Sequence, residues 1–84
     1  MKKFKDENEN EFDRDELLSR LGTHVAKLRK SRGYSQDRLQ LEANLSRGTL
    51  TRIENGERDA RASTLIKIAV TLGISPGKIL DFKL

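Results

Sequence analysis

Four residues that readily accept left-handed backbone, Gly33, Asn44, Gly56 and Gly73, divide this chain into short stretches. Within each stretch the apolar residues recur at steps of three and four, the spacing that lines one face of a helix. Leu18, Leu21, Val25 and Leu28 mark a first helix ending near Gly33, and Asp13 with Glu16 has the spacing of a capping pair. Ser35 caps a short second helix from Gln36 to Ala43, with Leu39 and Ala43 facing inward; Asn44 breaks it and Leu45 plugs the turn. Ser46 is expected to cap a third helix, Arg47 to about Asn55, whose inward residues are Leu50 and Ile53. A fourth runs from about Ala62 to Leu72 on Leu65, Ile68, Ala69 and Leu72, and Ser75-Pro76 opens a last short helix through Leu80. The pattern predicts an all-α fold of five helices and no strand. Gly22, inside the first helix, costs about 1 kcal/mol relative to Ala, so that helix is expected to fray ahead of it.

Eighty-four residues hold one domain, and a chain this short gains from self-association because it buries little more than half of its unfolded surface. With no cysteine and a single histidine, His24, it offers neither a disulfide framework nor a metal centre, and no glycine-rich phosphate cradle follows a strand. No cofactor, no metal and no enzymatic activity are therefore expected. Its apolar runs are far shorter than the roughly 20 residues of a membrane span, and the start, MKKFKDENENEF, lacks the apolar stretch of a secretory signal. A cytoplasmic, nucleoid-associated bacterial protein is expected.

The net charge of +4 hides an asymmetry. Residues 1–16 carry four Lys/Arg against seven Asp/Glu, a net of −3, so residues 17–84, with thirteen against six, carry +7. Such an excess attracts polyanions, nucleic acid or an acidic membrane face, although Lys and Arg also serve simply as solubilising surface. Residues 1–12 have no periodicity and read as a flexible charged arm before a domain at 13–84. Lys2, Lys3 and Lys5 invite a minor-groove role, but the acids from Asp6 to Glu16 would repel phosphate, so the arm is read as a solvated tail. It is also the natural place for a protein partner to dock.

The segment SQDRLQLEANLSRGTLTRIENGERD resembles the helix-turn-helix family of phage repressors and Cro proteins, which includes restriction-modification controller proteins. The likeness runs from about Leu21 to Leu80 and rests on an ordered set: Leu28-Arg29 before Gly33, Ser35-Gln36, Leu39, Ala43, Leu45-Ser46, Leu50, Arg52-Ile53-Glu54, Gly56 and the closing LIKIAVTLGIS. It implies a lambda-repressor-like DNA-binding domain with the helix-turn-helix at the second and third helices. It further implies that Gln36 contacts the DNA backbone and that Glu54 pairs with Arg29 as a structural ion pair. The chain departs from the family pattern at Gln40, where a small residue is usual, at Leu41, where a polar one is usual, and at Gly48, where a base-reading side chain often stands. Arg61 and Ala62 replace the polar cap and apolar anchor that normally begin the fourth helix.

A helix enters the major groove only if it is held proud of its domain, and the second helix can do this by packing Leu39, Ala43, Leu45, Leu50 and Ile53 into one nucleus. The outer face then presents Arg47, Gly48, Thr49, Thr51 and Arg52. Arg47 is the first candidate to read a base, because its planar fork matches the acceptors of guanine. Arg52 reads a second base or clamps a phosphate, and Gly48 and Thr51 complete the base-reading set. Gln36, Ser46, Thr49, Asn55, Arg58 and Arg61 form the phosphate-contacting set. Ile79, Leu80, Phe82 and Leu84, in an apolar C-terminus, are the expected homodimer interface. The expected function is sequence-specific binding of double-stranded DNA as a repressor or controller of transcription; the alternative is the antitoxin of a toxin-antitoxin pair, binding DNA and a protein toxin.

Overall fold

The computed structural model describes residues 3–84 and places five helices among them, in the expected order. Helix α1 spans Arg14–Ser31. Asp13 starts it, its Oδ1 accepting the Glu16 amide hydrogen at 2.8 Å, and the charges of Asp15 and Glu16 in the first turn and Arg29 and Lys30 in the last match the helix dipole. Helix α2 (Gln36–Glu42) is capped by Ser35, whose Oγ accepts from the Arg38 amide at 3.1 Å. Asn44 leaves it in the left-handed region, φ 54°, and Leu45 lies half-buried against the core. Helix α4 (Ala62–Leu72) ends at Gly73, and α5 (Pro76–Ile79) follows Ser75. Neither Arg61 nor Ser75 supplies a side-chain cap.

Helix α3 departs from expectation. It covers Thr49–Glu54, two residues shorter at its start, because Gly48 adopts φ 78° and stops the helical path there. Ser46 contributes its carbonyl, which accepts from the Thr49 amide at 3.0 Å, rather than a capping side chain. Arg47 thus stands in the turn before the helix.

The core gathers one face from every helix: Leu21 and Val25 of α1, Leu39 of α2, Leu50 and Ile53 of α3, Leu65, Ile68 and Leu72 of α4, and Ile79 of α5. Val25, Leu39, Leu50 and Ile68 lose all solvent contact, each burial contributing roughly 1.5–3 kcal/mol. Ile79 is 1 % exposed, which corrects its assignment to an intermolecular interface: the domain's own core uses it. Phe82 also turns inward, its ring 5.2 Å from that of His24, while His24 Nε2 donates to the Lys78 carbonyl at 2.7 Å. The C-terminal tail is thereby held along α1.

Residues 4–12, read from sequence as patternless, form an antiparallel hairpin of β1 (Phe4–Lys5) and β2 (Glu11–Phe12), with Phe4 opposite Phe12. Strands of two residues leave no alternation to detect. The hairpin is held by its turn, where Asp6 Oδ1 accepts from the amides of Asn8 and Asn10, both at 2.9 Å, and by the paired rings of Phe4 and Phe12 at 5.9 Å. The Asn10 amide above all holds the Asp6 carboxyl below its ordinary range. Of the three lysines considered for a groove-binding arm, Lys5 lies in β1 and Lys3 just before it, and Lys2 lies outside the described residues.

Helix α1 also runs unbroken through Gly22, correcting the expected fraying. A Cβ at Gly22 would stand 2.3 Å from the carbonyl oxygen of Ile53 and 2.6 Å from that of Glu54. The residue that weakens the isolated helix is what lets α3 lie directly against it. At the far end of this contact a Cβ on Gly56 would meet Ser19 Cα at 3.0 Å. Gly22→Ala is expected to destabilise the protein by about 2 kcal/mol, overpacking of about 3 kcal/mol outweighing the gain of about 1 kcal/mol in helix propensity. Chemical denaturation checks this, and an unchanged midpoint would mean that the two helices have room to part.

Candidate nucleic-acid interface

The end of α1 and the end of α3 meet through Arg29 and Glu54, as the resemblance implied. Arg29 Nε donates to Glu54 Oε2 at 2.7 Å and Nη2 to Oε1 at 3.0 Å, a two-pronged pair, while Nη1 reaches the Tyr34 carbonyl at 2.8 Å. Their side chains are only 9 % and 4 % exposed. This pair has left water, so its hydrogen bonding must be complete, and among the described residues no buried side-chain polar atom lacks a partner.

The network continues outward. Gln36 Nε2 donates to Glu54 Oε1 at 2.9 Å, and its Oε1 accepts from Thr51 Oγ1 at 3.3 Å. Gln36 and Thr51, assigned from sequence to a phosphate and a base, therefore also tie α2 to α3. One hydrogen of the Gln36 amide is used by Glu54; the other is left over. On the same side Arg38 lies over the Tyr34 ring, 4.1 Å from its centroid. Its pKa is raised above the ordinary guanidinium range by its hydrogen bond to Glu42 and then by that carboxylate's charge.

The outer surface of α3 and its flanking turns is exposed and cationic. Arg47 in the turn, Thr51 and Arg52 on the helix, and Ser46, Asn55, Arg58 and Arg61 beside it are all exposed. Gly48 and Thr49 are half-buried. The Arg52 guanidinium folds back over Gly48, so that a Cβ there would stand 3.7 Å from Arg52 Cζ. A cleft between α3 and α4 brings Ser46, Thr49, Arg58 and Arg61 together with Lys67. Sequence reasoning passed over Lys67; the signal was a lone cation on the otherwise apolar run of α4. Gln40, noted from sequence only as a departure from the family pattern, turns out to hold the turn: its Oε1 accepts from the Gly48 amide at 3.1 Å.

A short helix held proud of a packed nucleus, with a polar and cationic outer face, is the geometry of a helix-turn-helix. The helix-turn-helix family model HTH_3 matches residues 25–79. The chain belongs to the HTH_3 family. Members of this family are DNA-binding transcriptional regulators, and so is this chain. It is 36 % identical over 62 residues to the control protein C.BamHI of Bacillus amyloliquefaciens, a match covering 73 % of this chain and 76 % of that one. It is 31 % identical over 55 residues to the HTH-type transcriptional regulator y4dJ of Sinorhizobium fredii, covering 66 % and 71 %. The crystal structure of the restriction-modification controller protein C.AhdI from Aeromonas hydrophila superposes with a TM-score of 0.70 at 29 % identity, over 74 % of this chain and 94 % of that one. The HTH_3 match begins within α1, so the N-terminal hairpin lies outside it.

Glu54→Ala would strand the buried Arg29 guanidinium, and the expected loss is about 3–5 kcal/mol. In a domain of this size that lowers the melting temperature by more than about 10 °C. Thermal unfolding followed by circular dichroism measures it; a melt like that of the wild type would show the pair to be dispensable.

Proposed function

We propose that this HTH_3 protein occupies an operator as a homodimer, without catalysis, and represses or controls transcription from it, with α3 and the turn before it in the major groove. The observation that supports this is the cationic, solvent-facing Arg47 to Arg52 surface, propped outward by the buried Arg29, Glu54 and Gln36 network. Arg47 reads a base edge, with Arg52, Thr51 and Gly48 beside it. Gln36, through its spare amide hydrogen, and Ser46, Thr49, Asn55, Arg58 and Arg61 hold phosphates on either side of the groove. Lys67 extends the phosphate-facing side of the cleft.

The dimer reading rests on a surface shifted from the one expected. With Ile79 in the core, the apolar groove between α4 and α5 is lined by Ala62, Ile66, Pro76 and Leu80, of which Ile66 is 48 % and Leu80 64 % exposed. A second copy of the same face covers it by two-fold symmetry, which sets the two recognition helices roughly 34 Å apart, one turn of DNA.

Arg47→Ala is expected to lose about 1–3 kcal/mol of discrimination at one base pair per half-site, while affinity for all duplexes falls steeply as salt rises. Gel shifts on duplexes selected from random sequence measure both, and unaltered preference would remove Arg47 from the reading surface. In sedimentation the wild type is expected to run as a dimer at micromolar concentration and Leu80→Glu as a folded monomer; a wild type that stays monomeric at high micromolar concentration rules out this dimer.

A further inference from the structure

Gln40 and Gly48 are two departures from the family pattern that sit on different elements, eight residues apart, and the fold brings them into contact. The half-buried Gln40 side chain crosses from α2, and its Oε1 accepts the Gly48 amide hydrogen at 3.1 Å. Gly48 presents that hydrogen because it lies at φ 78°, a conformation that costs an ordinary side chain roughly 1 kcal/mol or more. No side-chain cap serves the start of α3, so the Gln40 contact is the polar side-chain bond that holds this turn to α2.

One consequence follows for Arg47. The left-handed residue ends the helical path after Arg47, so Arg47 projects from a turn rather than from a helical face. The Arg52 guanidinium folds back toward the same spot, its Cζ 3.7 Å from where a Cβ at position 48 would stand, an ordinary contact distance. The bond from Gln40 to the Gly48 amide thus sits at the residue that holds Arg47 off the helix.

We propose that Gln40 is a positioning residue for base recognition: by clasping the Gly48 amide it keeps the first turn of the recognition helix unwound and thereby sets which base Arg47 reaches. This rests on the operator-binding reading above. A continuous helix from residue 47 would carry Arg47 around the helix axis and forfeit the clasp.

Gln40→Met removes the acceptor at nearly constant volume, and Gln40→Glu keeps one. Selection from random duplexes, thermal melts and amide hydrogen exchange at Gly48 are measured for the wild type and both variants. In Gln40→Met, Gly48 exchange is expected to speed up and the preference at the base pair read by Arg47 to fall by about tenfold, with affinity for non-specific duplex nearly unchanged. Gln40→Glu is expected to restore slow exchange and the wild-type preference at lower overall affinity, since it adds a negative charge. The proposal is overturned if Gln40→Met keeps the wild-type base preference, or if it weakens binding to every duplex equally as its melting temperature falls. A wild type that selects no sequence at all overturns the operator reading instead.

Discussion

The Arg29 and Glu54 pair is the constraint around which the helix-turn-helix is built. Removing two charges from water costs several kcal/mol per ion, and here the cost is offset by a complete set of partners. Glu54 accepts from two nitrogens of Arg29 and from Gln36, and Arg29 also donates to the Tyr34 carbonyl. Such a pair tolerates little displacement, so it fixes the end of α3 against the end of α1. Gly22 makes this possible, since any larger residue would hold the backbones of Ile53 and Glu54 away from α1. Close backbone approach and a saturated buried ion pair are two aspects of one contact.

From that contact the binding surface follows. The apolar residues of α3, Leu50 and Ile53, are used up in the core, and its acid is used up by Arg29. What α3 and its turns leave outside is arginine, threonine, serine and asparagine, and the loop after α3 adds Arg58 and Arg61 beside the exposed acids Glu57 and Asp59. The positive excess of residues 17–84 thus includes a concentrated patch at an element shaped for a groove, while the acids of the N-terminal stretch are divided between the hairpin, Asp6 to Glu11, and the start of α1, Asp13 to Glu16. In the proposed complex, phosphate attraction and base readout share one surface, the first by charge, the second by the directional fork of arginine.

The bonds that reach this surface do two jobs at once. Gln36 bonds Glu54 and Thr51 bonds Gln36, so the side chains proposed to face a phosphate and a base are oriented by the same network that stabilises the fold. Rigid support of this kind reduces the side-chain freedom that binding would otherwise have to remove.

Helix number, order, stops and the inward faces of α1 to α4 could be read from the chain, because caps, left-handed residues and three- and four-residue apolar spacing act over a few neighbours. The partnership of Arg29 with Glu54 came through family resemblance, since 25 residues separate them and no local rule joins them. The start of α3 was misplaced because Ser46 looks like a cap, whereas the helix starts after a left-handed Gly48 whose amide donates to Gln40 of α2. Gly22 read as a weakness because its benefit lies in the backbone of another helix. Ile79 read as spare apolar surface because burial depends on the shape of the whole core. Each of these depends on two chain segments meeting within a few ångströms, a distance that spacing along the chain does not encode and packing does.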